Sequence, residues 1–405
     1  PEEPFDEKVQ PSDYGAVALL LQQIARHRPG FNPEPAELQQ IMRICRLVQG
    51  MPLAIVLAAN WIELLSLEEI ADEIAGCLDL LEGELRDLPA RQRSIRAVFT
   101  SSWRMLDEET QGAMARLSVF RGHFSRQAAQ AVGRCSPRVL LALVNKSWLQ
   151  RGDTGFQIHE LVRQFAAEQL RELPGGAEEA RDAHAAYYAA FLQQQNDLMT
   201  GPRQKEAIQA VGDAFEQAAA AWRWLVRRPG GLSVIVGQLL PALYRYVESL
   251  QRGNALVKLL ELALAEPPDD LALRAVLLAA KTAFYRTGLP IRFEAFGVAM
   301  PIDAQLPEAW ELAGQQPLPA FWRIVLWYGY GRNFAREEAI ARMRPLLETL
   351  RAEGSRWELA FGLHHLVQLL QLRPEDEANR TEAPLYLAEA LEILQQLGDD
   401  RERGY

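Results

Sequence analysis

Apolar residues recur at the three- and four-residue spacing of amphipathic helices along almost the whole chain of 405 residues. Near the N-terminus, for example, this spacing places Val17, Leu20 and Ile24 on one face. Only two short runs alternate as strands do, 148–151 and 156–158, and a Gly-Asp-Thr-Gly turn joins them as in a hairpin. The sequence therefore predicts a mainly α fold that contains one small β-hairpin.

Length, charge and cysteine content narrow the class of protein. A chain of 405 residues exceeds the usual size of one domain, so we expect about two to four domains. The formal net charge of −10 gives the chain no general electrostatic attraction to nucleic acid or to an anionic membrane. The three cysteines lie far apart and form no CxxC pair, which indicates reduced thiols rather than a disulfide framework.

Targeting and metal-binding signals are absent from the sequence. No apolar run reaches the roughly 18 residues of a membrane span, and the N-terminal residues do not resemble a signal peptide. The histidines are scattered without the spacing of metal ligands, so no metal site is predicted. We therefore expect a cytoplasmic protein without a membrane partner. Residues 1–11 are interpreted as a linker, and both chain ends as cuts from a longer protein.

The first predicted domain, residues 12–85, consists of four helices. Gly50-Met51-Pro52-Leu53 interrupts the apolar pattern after the second helix, because proline lacks a backbone N–H and suits the first turn of a new helix. Ser66 and Glu69, three residues apart, predict a capping box for the fourth helix.

The second predicted domain, residues 86–173, contains capped helices followed by the hairpin. The predicted N-caps are Asp107, Ser125 and Ser136, and Pro137 follows the last of them. Helix 159–173 closes the domain, and a Pro-Gly-Gly run predicts a hinge after it. Three helices and a hairpin in this order predict a winged helix.

The third predicted domain, residues 177–405, is helical with short turns. Two late segments, 350–357 and 394–401, each place a glycine and polar residues between one helix and the next. Such recurrence is typical of an array of helix pairs like the tetratricopeptide repeat (TPR). The sequence predicts an α-solenoid here.

Three ordered segments resemble the STAND NTPases, the NB-ARC-like ATPases of bacterial activators, defence systems, plant resistance proteins and apoptotic factors. Residues 50–59, Gly-Met-Pro-Leu-Ala-Ile-Val-Leu-Ala-Ala, are similar to the GxPLAhxLAA segment of that family. Residues 93–103 with 117–122 resemble the start of its winged-helix domain. Residues 140–149 with 158–163 resemble the end of that domain. The resemblance implies that residues 12–85 are the helical ARC-type domain, with a sensor array after the winged helix.

The resemblance also implies roles for Gly50, Pro52 and His159. Pro52 would pack against adenine in the loop that Gly50 opens, and His159 would reach the β-phosphate of ADP as the histidine of the family's "MHD" motif. Here Ile158 and Glu160 replace the flanking Met and Asp. These roles apply to a full-length protein that binds ATP or ADP with Mg²⁺.

A nucleotide-binding core is missing from the sequence. No Gly-Lys dipeptide occurs among the five lysines, so the chain has no GxxxxGK[ST] loop, and no strand ends in paired acidic residues. We expect no catalytic residues and no cofactor held by this chain alone. The expected partners are an upstream ATPase core and a protein or small-molecule activator at the helical repeats, with oligomerisation on activation.

Simpler interpretations stay open beside these. The Gly50 segment can be a plain helix–turn–helix connection, and His159 a helix-boundary residue that forms a local hydrogen bond. The aromatic residues at 321–330 can be helix packing or a binding surface. A winged helix can bind DNA directly, but the predicted recognition helix offers one basic side chain, Arg138. An enzyme site in the helical region is the third alternative, although no nucleophile and base stand together there.

Overall fold

The computed structural model describes twelve stretches of the chain, which divide into two compact units, 1–184 and 185–405. The described residues are 15–28, 30–48, 50–63, 65–76, 95–152, 155–250, 254–266, 268–287, 306–315, 318–333, 336–371 and 377–397. The predicted linker at 1–11 lies outside them. Helices dominate the described residues, so the predicted mainly α class is confirmed. No helix in these stretches is both long and apolar enough to cross a membrane.

The first unit contains nine complete helices and one hairpin among its described residues. They are α1 Gly15–His27, α2 Pro35–Leu47, α3 Pro52–Ala59, α4 Leu67–Gly76, α5 Ile95–Trp103, α6 Glu108–Leu117, α7 Arg126–Gly133, α8 Pro137–Asn145, β1 Gln150–Arg151, β2 Phe156–Gln157 and α9 Glu160–Glu172. A 3₁₀ turn, Asn60–Glu63, follows α3. Helix α10, Gly176–Met199, begins in this unit and ends in the next.

The helix starts follow the predicted caps. Ser66 and Glu69 form the expected capping box, because the Glu69 N–H donates to Ser66 Oγ at 3.2 Å and the Ser66 N–H donates to Glu69 Oε2 at 2.8 Å. At α6, α7 and α8 a backbone N–H donates to the predicted cap side chain, Asp107, Ser125 and Ser136 respectively. Each cap satisfies an N–H that the helix itself leaves without a partner.

The predicted hairpin is present, and the winged helix stays a prediction. Strands β1 and β2 pair antiparallel, Gln150 with Gln157 and Arg151 with Phe156. Phe124, between α6 and α7, pairs with β2 as a single bridge residue that the sequence did not reveal. Its N–H and C=O each bond to Phe156 at 2.9 Å. Helices α6, α7 and α8 precede the hairpin as predicted, and the strand residue Phe124 between α6 and α7 was not predicted.

An aromatic cluster holds this part together. Phe99 and Trp103 of α5, Trp148 before β1 and Phe165 of α9 have ring centroids 5.4–6.2 Å apart. Trp148 was predicted to start a strand, but it is buried ahead of the strand instead. The cluster fixes α9, and therefore the residue that precedes it, relative to α5.

The second unit consists of helices in its described residues. After the end of α10 come α11 Gln204–Asp213, α12 Phe215–Leu225, α13 Gly231–Val234, α14 Leu240–Leu250, α15 Asn254–Leu264, α16 Leu271–Thr287, α17 Leu306–Gln315, α18 Ala320–Asn333, α19 Arg336–Glu353, α20 Arg356–Gln371 and α21 Glu377–Leu397. A π-helical turn, Ile235–Leu239, joins α13 to α14.

The late helices stack as pairs. Helix α18 packs on α19 and α20, and α20 packs on α19 and α21, which is the pattern of a helix-pair array. The close approach depends on Gly362 of α20, where an added Cβ would lie 2.7 Å from Leu347 and 3.0 Å from Ile324. Phe321 and Trp327 of the aromatic run are buried among the helices, which favours its packing interpretation.

The two units divide inside α10, between His184 and Ala185. The first turns of α10 belong to the first unit, because Ala180 packs with Ala115 and Leu170 in one buried cluster. His184 stands edge-on against Phe120 at 5.3 Å between ring centroids. The boundaries 12–85, 86–173 and 177–405 remain predictions.

Replacing Gly155 by alanine is expected to destabilise the first unit by about 2–4 kcal/mol. Gly155 has φ +156°, and its added Cβ would lie 2.3 Å from the Phe124 carbonyl oxygen, so the bridge would have to separate. Gly152→Ala is the matched control, since that Cβ meets only the His123 ring at 3.9 Å. Urea unfolding measures both, and equal stabilities would contradict the packing described.

Gly362→Ala is expected to destabilise the second unit by about 1–2 kcal/mol through overpacking against Leu347 and Ile324. Gly329→Ala in α18 is the control, because its Cβ meets nothing within 4 Å. That change is expected to add about 0.5–1 kcal/mol of helix stability. Thermal unfolding followed by circular dichroism shows whether each variant is less or more stable than the wild type. Higher stability of both variants would refute the close approach at α20.

Candidate functional site

The Gly50 turn connects α2 to α3. Gly50 has a positive φ of +72°, which glycine adopts without strain, and its N–H donates to the Cys45 carbonyl at 3.0 Å. The Met51 N–H donates to the Val48 carbonyl at 2.9 Å. Pro52 is the first residue of α3, as predicted, and it is exposed to solvent.

His159 is the N-cap of α9 and forms hydrogen bonds through both ring nitrogens. Its Nδ1 accepts the Leu161 N–H at 3.2 Å, which leaves the proton of the neutral ring on Nε2. The Nε2–H then donates to the Val48 carbonyl at 3.1 Å. The two bonds together select one tautomer of the neutral imidazole.

The environment of His159 favours its neutral form. Burial lowers the pKa of His159 below its ordinary value, and the bond to Val48 and the charge of Glu160 oppose that shift only in part. A proton on Nδ1 would also displace the Leu161 N–H from its acceptor. At neutral pH the ring therefore donates one hydrogen bond, to Val48.

Glu160 and Arg163 form an ion pair beside His159. Arg163 donates to both carboxylate oxygens of Glu160, from Nε at 2.8 Å and from Nη2 at 2.6 Å. Burial of Glu160 opposes its ionisation, but the hydrogen bonds and charge of Arg163 outweigh it, so the pKa of Glu160 lies below its ordinary value. The carboxylate is ionised at neutral pH.

The structure brings the predicted residues His159 and Gly50 to one place in the first unit. Val48, which His159 contacts, is two residues before Gly50 and four before Pro52. The nucleotide roles of Gly50, Pro52 and His159 stay predictions. Sequence reasoning missed Val48, whose backbone carbonyl carries no residue signature. It also missed the Glu160–Arg163 pair, although the i, i+3 spacing of opposite charges was a visible signal.

The described cysteines of the first unit are buried thiols. Among the residues that the structure describes, no group of three His, Cys, Asp or Glu could hold a metal ion. The nearby thiol, Cys45 of α2, is free and buried, and burial raises its pKa to about 11. The other described cysteine, Cys135, is buried with a pKa raised to about 12, and Cys77 lies outside the described residues.

The outer face of α8 is partly apolar. Its exposed side chains include Arg138, Leu141 and Asn145, and Leu141 is 61% exposed. Lys146, just after the helix, donates from Nζ to the Met105 carbonyl at 2.7 Å. Met105 is itself 72% exposed. A helix that reads DNA presents several cationic and polar groups instead.

Comparison with known proteins gives partial matches. No family model matches the chain. It is 31% identical over 220 residues to "Putative HTH-type transcriptional regulator Rv0890c" of Mycobacterium tuberculosis, over 52% of this chain and 25% of that protein. It is 30% identical over 196 residues to "Uncharacterized protein Mb0918" of Mycobacterium bovis, over 45% of this chain and 49% of that protein. The chain thus spans about a quarter and about half of these relatives.

One solved structure matches the chain at low sequence identity. It is the Signal Transduction ATPase with Numerous Domains (STAND) protein with a tetratricopeptide repeat sensor, PH0952, from Pyrococcus horikoshii. The match has a TM-score of 0.40 and 14% identity, and it covers 97% of this chain and 55% of the other.

Acidification is expected to weaken the first unit through His159. The folded state lowers the pKa of His159, so its contribution to stability is present above the unfolded pKa of about 6.5 and is lost as the pH falls through the folded pKa. Urea unfolding at about pH 7.5 and about pH 5.5 gives the free energy of unfolding at each pH. The decrease in that free energy on acidification should be larger for the wild type than for His159→Gln. Equal losses in the two proteins would show that His159 titrates alike in both states.

Proposed function

We propose that this chain is the regulatory and sensor portion of a STAND-type signalling switch. In this proposal the helical domain and the winged helix close over ADP or ATP held by a P-loop core that precedes them. The observation that supports it is the hydrogen bond from His159 to Val48, across 111 residues of sequence. It joins the first turn of α9 to the turn that ends in Pro52.

The site offers a physical basis for reading a nucleotide. Pro52 is exposed, so its ring is available to pack against a base. The His159 Nε2–H now bonds a neutral carbonyl, and a phosphate oxygen is a stronger acceptor because it carries charge. A phosphate within reach would therefore compete with Val48 for His159. The competition gives two alternative arrangements of α9 against α2, whose populations a nucleotide can shift.

The helical array supplies the sensor in this proposal. Stacked helix pairs present an extended surface to a protein or small-molecule activator. Binding there would favour the open arrangement, exchange of ADP for ATP, and oligomerisation of the full-length protein. The buried aromatic residues of α18 form its packing, so the contact residues belong to its exposed positions.

Direct DNA binding is the second candidate, and the name of the M. tuberculosis relative is the reason to consider it. The exposed Leu141 at the centre of α8 and the formal charge of −10 oppose it. A regulator of this kind can act on transcription through a DNA-binding domain elsewhere in a longer chain. Salt-dependent binding of this chain to duplex DNA would favour the direct role.

Nucleotide retention tests the proposed function. We expect this chain alone not to retain ADP, and a version extended N-terminally through the ATPase core to retain it. His159→Ala in the extended protein should weaken ADP binding by about 10–100-fold, as the loss of one charge-assisted hydrogen bond does. His123→Ala, at an exposed histidine of the same unit, is the control and should change nothing. Tight ADP binding by this chain alone would contradict the proposal.

A further inference from the structure

The first two turns of α9 contact the C-terminal ends of three other helices. Three side chains at this helix start donate to backbone carbonyls there. The bonds are His159 Nε2 to Val48 at the end of α2 (3.1 Å), Gln164 Nε2 to Ile74 and Ala75 at the end of α4 (3.5 Å each), and Arg163 Nη1 to Ser118 at the end of α6 (3.3 Å).

These carbonyls need partners from outside their own helices. The last four C=O groups of a helix have no intrahelical donor, and the negative end of the helix dipole lies beside them. Val48 and Ser118 are the C-caps of α2 and α6, and Ala75 is the penultimate residue of α4. Donors from α9 therefore supply bonds to these carbonyls, and at Val48 the bond adds to the one from the Met51 N–H. Arg163 adds a positive charge at the end of α6.

Glu160 organises the two longer donors. It accepts both bonds from Arg163 and a further bond from Gln164 Nε2 at 3.2 Å. The Arg163 side chain is only 11% exposed, so the carboxylate is its main charged partner away from water. One carboxylate thus holds the side chains that contact α4 and α6, next to the residue that contacts α2.

We propose that Glu160, Arg163 and Gln164 are positioning residues of a latch, which fixes His159 against the Gly50 turn by joining α2, α4 and α6 to α9. The latch closes and opens as one unit, because Arg163 and Gln164 share the Glu160 carboxylate and His159 caps the same helix. Its use in nucleotide control rests on the proposed function, but its existence does not. Displacing His159 would then loosen the ends of α2, α4 and α6 together.

The distinguishing variant is Gln164→Ala. Gln164 bonds the end of α4 and Glu160, whereas the Gly50 turn receives its bond from His159. If the bonds are coupled through the latch, this change speeds amide hydrogen exchange at the end of α4. It also speeds exchange at Gly50 and Met51 by about tenfold. It also predicts a displaced pH titration of His159, followed by NMR of the imidazole.

Gln169→Ala is the matched control, since it makes the same change five residues further along α9. It should leave both readouts unaltered. Glu160→Gln is the second variant, which removes the shared charge at constant shape and should speed exchange at the Gly50 turn and the end of α4 alike. Both variants are checked by circular dichroism at neutral pH.

The outcomes separate clearly. Faster exchange confined to α4 after Gln164→Ala, or uniformly faster exchange that includes α7 and α8, would overturn the latch. Faster exchange at α4 and the Gly50 turn, with α7 and α8 unchanged, would support it. The experiment uses this chain without nucleotide, so its failure and a failure of ADP retention are independent results.

Discussion

One long-range hydrogen bond, from His159 Nε2–H to the Val48 carbonyl, joins the start of α9 to the end of α2. The ring carries its proton on Nε2 because Nδ1 accepts the Leu161 N–H, a bond that requires the neutral imidazole. Burial of the ring maintains the neutral form at neutral pH and outweighs the opposing charge of Glu160. Protonation of Nδ1 would break the bond from the Leu161 N–H, and neighbouring bonds join α9 to the ends of α4 and α6 as well.

Local features of the fold could be predicted because their causes lie within a few residues. The caps Asp107, Ser125 and Ser136 each serve an N–H three residues further on, so residue type and spacing suffice to find them. The hairpin was predictable from its turn. The bridge from Phe124 to Phe156 was not, because a single residue pair leaves no alternation to detect.

At the candidate site, too, the local features could be predicted from the sequence and the long-range contact could not. Residue patterns indicated a turn at Gly50 and a helix boundary at His159, and only the family resemblance connected the two positions. Their meeting point is a backbone carbonyl, which any residue at position 48 would provide. In the second unit, helical periodicity could not decide whether Phe321 and its neighbours pack or bind. Their burial decides for packing.

The most direct measurement is a crystal structure, grown with ADP, of the protein extended N-terminally through the proposed ATPase core. If the site reads nucleotide through His159, the Nε2–H will lie within hydrogen-bonding distance of a phosphate oxygen and away from the Val48 carbonyl. Pro52 will then pack against the adenine. An ADP-bound structure in which His159 still donates to Val48, with the phosphates out of its reach, would contradict the proposed switch.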